Sequence, residues 1–297
     1  MELGKLHFGV SYEQYDSFGK SLRALRSSHL KELKKSPAHL KHSLNNPKEE
    51  TEALRQGKLI HFAFENPQRF LETYIVEPIF QGKTQKGELT TSPNCKEVKE
   101  KKAEWLSKQK PDAMILSQDD ADMIVGMIKS IASHKLASRL LRDGVREVSG
   151  WVEDPETGVI LQYRPDFIHE LGYIIDIKST RDASVSSFTH DIFSERGYFY
   201  LLQSAHYTHC AKLMGHNKHD SFTFIPIEKN PPFGLNVIAL SEHHLEVGEA
   251  WRRKLTKIYA DCMKSDIWPC YEERAVNPEI PAYVQPPFYD EEFYGED

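Results

Sequence analysis

Asp166, Asp176 and Lys178 carry the clearest chemical signal in the sequence. They lie in the segments Tyr163-Arg164-Pro165-Asp166-Phe167 and Tyr173-Ile174-Ile175-Asp176-Ile177-Lys178. The apolar runs on either side of His169–Gly172 read as two strands joined by a turn. A turn centred at Leu171 sets Asp166 opposite Asp176 and Arg164 opposite Lys178. Strand alternation then puts Asp176 and Lys178 on one face and Ile175 and Ile177 on the other. Two facing carboxylates repel, at a cost of up to about 1 kcal/mol. A hard divalent cation turns that repulsion into binding, because such ions take carboxylate oxygens as ligands. Mg²⁺ held there would acidify a water and neutralise charge on a phosphate. Lys178 would position or help deprotonate the water, or steady transition-state charge. The plainer alternative is a pair of turn-flanking acids with Lys178 as their salt-bridge partner, since short D-x-K matches are frequent.

Three further features sharpen the choice. Gln203 and Tyr207 are four residues apart on a predicted helix and so share a face, and an amide is unusual in the apolar run from Tyr198 to Tyr207. His61 follows Gly57 by four residues, a weak signal in a chain with 14 histidines. Glu147 opens the strand before the hairpin. Glu153, beyond Trp151 on the same predicted strand, is the alternative to it.

The elements that must position these groups follow from punctuation and periodicity. Residues 17–45 read as helix, with Leu22, Leu25, Leu30 and Leu33 among basic residues and a break at Pro37. Further helices are predicted over Glu49–Phe64, Lys96–Lys108 and from the Ser117 cap to about Arg142, where Gly144 stops the run. Residues 81–94 read as loop. Strands are predicted at Glu147–Val152, Val159–Ile168, Tyr173–Ile177, Ser221–Glu228 and Gly234–Leu240. Helices are expected over Ser194–Met214 and from Ser241 to about Asp266. The order implies an α/β fold, a mixed central sheet flanked by helices. The expected layout is one domain over 1–270, with a helical part at 1–65 and a sheet core at 145–240. An acidic, Pro- and aromatic-rich tail, 271–297, follows. There is no internal repeat.

Bulk composition leaves this reading open. The 297 residues are 39% hydrophobic and 28% charged, the balance of a globular protein, and no run is apolar and long enough to span a membrane. No signal peptide is evident at the start, so the expected location is cytoplasmic. The net charge of −6 looks wrong for a DNA-binding protein, but it is unevenly spread. Residues 1–60 hold 11 Lys+Arg against 7 Asp+Glu, whereas residues 271–297 hold one Arg against 8 acids. A local basic groove binds DNA whatever the total. Cys95, Cys210, Cys262 and Cys270 form no CxxC pair, which argues against a zinc ribbon or a disulfide framework.

Taken in order, Gly57…His61, Glu147, Asp166, Asp176-Ile177-Lys178 and Gln203…Tyr207 resemble the GxxxH, Glu, Asp, D/E-x-K and QxxxY signature of the PD-(D/E)xK nucleases, in their RecB-like branch. Closer likeness is to the family of the exonuclease VIII (RecE) C-terminal nuclease domain and its phage relatives. It rests on Gly57–His61 leading into Phe70 and Pro78, Thr157–Val159 before Arg164-Pro165-Asp166, Asp176–Ser184, and Ile227–Pro232, and covers roughly residues 25–270.

That resemblance implies a metal-dependent exodeoxyribonuclease acting 5′→3′ on linear duplex ends. It implies 3′ single-stranded tails passed to a single-strand annealing protein, and a homo-oligomeric ring. Carried over, Glu147, Asp166, Asp176 and the Ile177 carbonyl would bind Mg²⁺, for which Mn²⁺ would substitute. His61 would ligate or support a second ion. Lys178 would be catalytic, and Gln203 and Tyr207 would hold Lys178, the water or the phosphate. Arg164, Ser179, Thr180 and Arg181 are candidate donors to a terminal or adjacent phosphate. Some RecB-like nucleases carry an iron–sulfur cluster, with one Cys before GxxxH and three after QxxxY. No Cys precedes His61 here, so no cluster is expected. The rival readings are a structure-specific or other RecB-like endonuclease and a non-catalytic DNA-binding module.

Overall fold

Why the site residues converge is clearest along the chain. The computed structural model describes residues 1–46, 51–65, 67–110, 113–195, 197–216 and 221–278. After β1 (Leu6–His7) the predicted helical stretch resolves into α1 (Tyr12–Ser21), α2 (Ser27–Lys35) and α3 (Pro37–Asn45). Pro37 occupies the first turn of α3, where its missing N–H is harmless, and the Ser36 hydroxyl accepts from the His39 N–H. The helix expected from Glu49 is α4 (Glu52–Glu65), and residues 47–50 lie outside the described residues.

Next come α5 (Pro67–Thr73), β2 (Tyr74–Val76), β3 (Gly82–Lys83), β4 (Leu89–Thr90), α6 (Lys96–Ser107) and β5 (Met114–Leu116). The β3–β4 hairpin falls inside the stretch read as loop; strands of two residues carry no alternation to detect. The Ser117-capped helix stops at Ser133 (α7, Gln118–Ser133) and restarts as α8 (Lys135–Leu140). The His134 ring accepts from the Ala137 N–H there and begins a new helix.

Beyond Gly144 one of the predicted strands is cut in two, and another is preceded by a strand the sequence did not suggest. The strand expected at Glu147–Val152 is β7 (Ser149–Glu153); β6 (Gly144–Arg146) comes before it, and the two are separated at Glu147, whose φ of 45° is left-handed. The run to Ile168 becomes β8 (Ile160–Tyr163) and β9 (Phe167–His169), separated at Arg164-Pro165-Asp166, because Pro165 has no N–H for a ladder. The pieces then part company. β7 and β8 join β1 in one sheet, of order β1-β7-β8. β6 and β9 join β10 (Ile174–Thr180), β11 (Phe222–Glu228) and β12 (Ile238–Leu240) in a second, of order β12-β11-β10-β9-β6.

The expected hairpin register holds, with Ile174 opposite Ile168 and Ile175 opposite Phe167. It does not extend to Arg164 and Lys178, because the chain leaves the sheet at Asp166. β10 and β11 are parallel, and α9 (Val185–Phe193) and α10 (Tyr200–Leu213) make the crossover. The single helix expected from Ser194 therefore starts at Tyr200, after a break at Phe199 (φ 48°), and α9 precedes it.

α11 (Glu242–Ser265) closes the described fold under a Ser241 capping box. The part of the acidic tail from 279 to 297 lies outside the described residues. Two hydrophobic clusters pack the two faces of the five-stranded sheet. Ile175, Ile177, Ile225 and Ile227 meet Ile60, Phe64, Ile124 and Met127 from α4 and α7. Ile174, Phe222 and Phe224 meet Leu30, Leu33, Leu201 and Leu202 from α2 and α10. Among the described residues no helix is long and apolar enough to cross a membrane.

Candidate active site

The site sits where the two sheets divide. β10 runs on past the start of β9, so its amides from Ile177 onward face no β9 strand partner. The Asp166 carboxylate fills the first of those places: the Ile177 N–H donates to Asp166 Oδ2 at 2.7 Å. On the other side of the division the Glu147 N–H donates to the Asp166 carbonyl at 3.1 Å. The gaps between β6 and β7 and between β8 and β9 thus bring Glu147 against Asp166. Glu153, six residues on, lies exposed at the far end of β7.

Asp176 and Lys178 share the β10 face that meets α2 and α10. Asp176 is fully buried; Lys178 Nζ lies 2.6 Å from its Oδ2, and Gln203 Nε2 donates to its Oδ1 at 2.9 Å. Gln203 therefore orients Asp176, one helix turn from Tyr207. Although Oδ2 is close to Lys178, it accepts no well-directed hydrogen bond. Burial first, then the Asp166 charge, push the Asp176 carboxyl up to about 6 against the pull of Lys178. For Lys178 burial acts downward, but Asp176 and Asp166 outweigh it and hold the ammonium above its ordinary pKa. Its Nζ lies 5.0 Å from the centroid of the Tyr200 ring. Tyr207 packs edge-on against Tyr163, 5.9 Å between centroids. Burial raises its phenol pKa, helped by Tyr15 and by the charges of Asp176, Asp166 and Glu147.

His61 comes from the helix on the opposite face. Its Nδ1 lies 3.2 Å from Asp166 Oδ1 and 3.6 Å from Glu147 Oε1. The Asp166 charge, against burial, raises the imidazole well above its usual pKa, and Glu147 adds to this. Asp166 is held below the carboxylate range: burial opposes this, but His61, Lys178 and the Ile177 amide prevail. Ligand atoms of His61, Glu147 and Asp166 all lie within 4.8 Å of one another. They line a narrow cleft together with Ile177 and Glu65, with about 10 Å³ of free space, the scale of one water or ion. Oxygen-rich donors and one imidazole suit a hard divalent cation.

Two groups at this site were not anticipated. Glu65 stands four residues after His61, one turn along α4, and burial followed by the Glu147 charge raises its pKa. The available signal was the i, i+4 spacing from His61. Lys31 on α2 places its Nζ 4.7 Å from the Tyr200 centroid, on the ring that Lys178 also touches.

The proposed phosphate donors separate. Arg164 turns inward: its Nε donates to Glu147 Oε2 at 2.6 Å, and a terminal nitrogen donates to the Val10 carbonyl at 2.8 Å and to Ser149 Oγ at 3.2 Å. Ser179 and Thr180 are half-buried, Thr180 Oγ1 donates to the Asp182 carbonyl, and Arg181 is exposed.

The family described as a PDDEXK-like domain of unknown function (DUF3799) matches residues 26–276. A solved structure described as "Putative exonuclease", from Eubacterium rectale, is similar in fold: TM-score 0.58 at 13% identity, over 94% of this chain and 100% of that one. No curated protein matches.

Proposed function

The chain belongs to the PDDEXK-like domain family DUF3799, and from that premise we propose that it is a magnesium-dependent exodeoxyribonuclease. The supporting observation is the convergence of His61, Glu147 and Asp166 on one cleft, with the Asp176–Lys178–Gln203 set beside it on β10. Likeness of the ordered motifs to the exonuclease VIII family supports 5′→3′ action on linear duplex ends. It also supports a 3′ tail for an annealing protein and a ring-forming nuclease unit spanning residues 1–270.

Glu147, Asp166, Asp176 and the Ile177 carbonyl would hold the cation, with His61 as a further ligand or the support of a second ion. When bound, Mg²⁺ supplies a more acidic water and neutralises charge on the phosphate oxygens. The chain's own residues do the rest. Gln203 fixes the orientation of Asp176, and the Ile177 amide that of Asp166. Lys178, anchored by Asp176, sets a positive charge beside the attacked phosphodiester and stabilises the charge that develops there. Arg164 holds Glu147 aimed at the cleft. Hydrolysis then forms a bond from water oxygen to phosphorus and breaks the bond from phosphorus to the leaving sugar oxygen, which takes up a proton.

The test is a linear duplex labelled at either end and a covalently closed circle, each incubated with the protein and Mg²⁺. Loss of label from 5′ ends with the circle intact is expected. A cleaved circle would favour the endonuclease reading, and binding without cleavage would favour the DNA-binding module.

A further inference from the structure

Helix α2 carries Lys31, Lys34 and Lys35, and the structure treats them differently. Lys34 Nζ lies 2.7 Å from Glu195, and Lys35 Nζ 2.9 Å from Glu32. Lys31 has no carboxylate within ion-pair distance among the described residues. Its head group is half-buried and rests on the Tyr200 ring at 4.7 Å, with Lys178 Nζ 5.0 Å from the same centroid. Two ammonium groups therefore share one phenol. The nearby acid, Asp176, is already engaged by Lys178 and Gln203.

Burial first, then the Lys178 charge, lower the Lys31 pKa to about 8. A half-buried pair of like charges is unfavourable unless an anion comes between or beside them. The surface leading away from it is aromatic. Tyr198, 59% exposed, stacks on Tyr200 with centroids 5.2 Å apart and planes 1° from parallel. An unpaired cation next to an outward-facing ring suits a nucleotide: the phosphate meets the ammonium and the base lies on the ring.

We propose that Lys31 binds the backbone phosphate adjacent to the one attacked, with the exposed Tyr198 ring stacked under the neighbouring base. This rests on the nuclease reading above and extends it to a second phosphate subsite. Lys31 is a positioning residue, since it meets the strand beside the reacting atoms.

The experiment uses the full chain, Mg²⁺ and an end-labelled linear duplex across a series of NaCl concentrations. Lys31→Gln should raise KM about tenfold with kcat within about twofold, the worth of one charged contact to phosphate. The log–log dependence of binding on salt should flatten by about 0.9, one released counterion. Lys31→Arg should restore both, and Lys35→Gln should change neither. Tyr198→Ala should raise KM without altering the salt slope.

If wild type degrades the duplex while Lys31→Gln keeps its KM and salt slope, the subsite is overturned and the nuclease reading stands. A drop confined to kcat would also overturn it, because Lys31 would then act on the reacting centre. If wild type binds no DNA and cleaves none, the nuclease reading falls and the subsite with it. Circular dichroism melts guard against misfolding, and Lys31→Arg carries the test should Lys31→Gln fail to fold.

Discussion

Replacing Arg164 with methionine should destabilise the protein far more than it weakens DNA binding. Arg164 and Glu147 are each only 11% exposed, with Nε and Oε2 2.6 Å apart. The guanidinium also lies 5.6 Å from the Tyr15 ring. Methionine keeps much of the volume but strands the Glu147 carboxylate. Its remaining cationic neighbour among the described residues is His61, at 3.6 Å. Removing one partner of a buried pair costs about 3–5 kcal/mol. Loss of the Val10 and Ser149 hydrogen bonds adds about 1 kcal/mol each. The residual exposure and the His61 charge work the other way, leaving a net loss of about 3 kcal/mol.

In a chain of this length each kcal/mol moves the melting midpoint by roughly 2–4 °C, so a fall of about 6–12 °C is expected in metal-free buffer. Saturating Mg²⁺ should stabilise the variant more than the wild type, because a cation beside Glu147 replaces the missing charge. Adding Glu147→Gln should recover most of the loss, since the stranded charge is then gone. Thermal melts with and without metal, alongside duplex binding in Ca²⁺, read all of this. A variant that melts within about 1 °C of wild type but loses DNA affinity would refute the reasoning and make Arg164 a phosphate ligand.

Lys178→Ala should lower kcat on linear duplex by about 10²-fold or more if it stabilises transition-state charge. Lys58→Ala, whose ammonium lies over the Tyr12 ring at 6.0 Å, should change little; equal losses would point to general DNA electrostatics. His206 is fully buried, its Nε2 lies 2.9 Å from the Gln162 carbonyl, and burial pushes its pKa down to about 3. The unfolded chain takes up that proton near pH 6.5 and the folded protein does not, so stability must fall as pH drops from 6.5 towards 3. At pH 5 the loss is about 2 kcal/mol, and His206→Gln should show a smaller difference between melts at pH 7.5 and pH 5 than wild type.

The hairpin was legible because the turn at His169–Gly172 sets the register of the apolar runs on either side of it. Gln203 was legible as an amide in an apolar run, and its partner is the buried Asp176. The break at Arg164–Asp166 was not, nor was β6 ahead of Glu147. A strand pattern shows which residues alternate and says nothing of which sheet each half joins. For the same reason Glu147 and Glu153, an even number of residues apart, looked equivalent on one unbroken strand. The left-handed turn at Glu147 separates them. Glu65 and Lys31 were lost among 44 acids and 38 bases, because their roles depend on neighbours distant in sequence, Glu147 and Tyr200. α9 went unread because it lies before the helix expected from Ser194, from which the left-handed Phe199 separates it.

The most direct test of the central claim compares wild type, Asp166→Asn and Asp176→Asn on a linear duplex. Cleavage is followed with Mg²⁺, with Ca²⁺ and after chelation. The neutral amides keep the shape of the side chains but remove the charges that attract the cation. Wild type should degrade the duplex with Mg²⁺, turn over little with Ca²⁺ and stop on chelation. Both variants should still bind the DNA yet lose cleavage. Degradation by either variant at near wild-type rate, or by the chelated wild type, would contradict a metal-dependent nuclease built on these carboxylates.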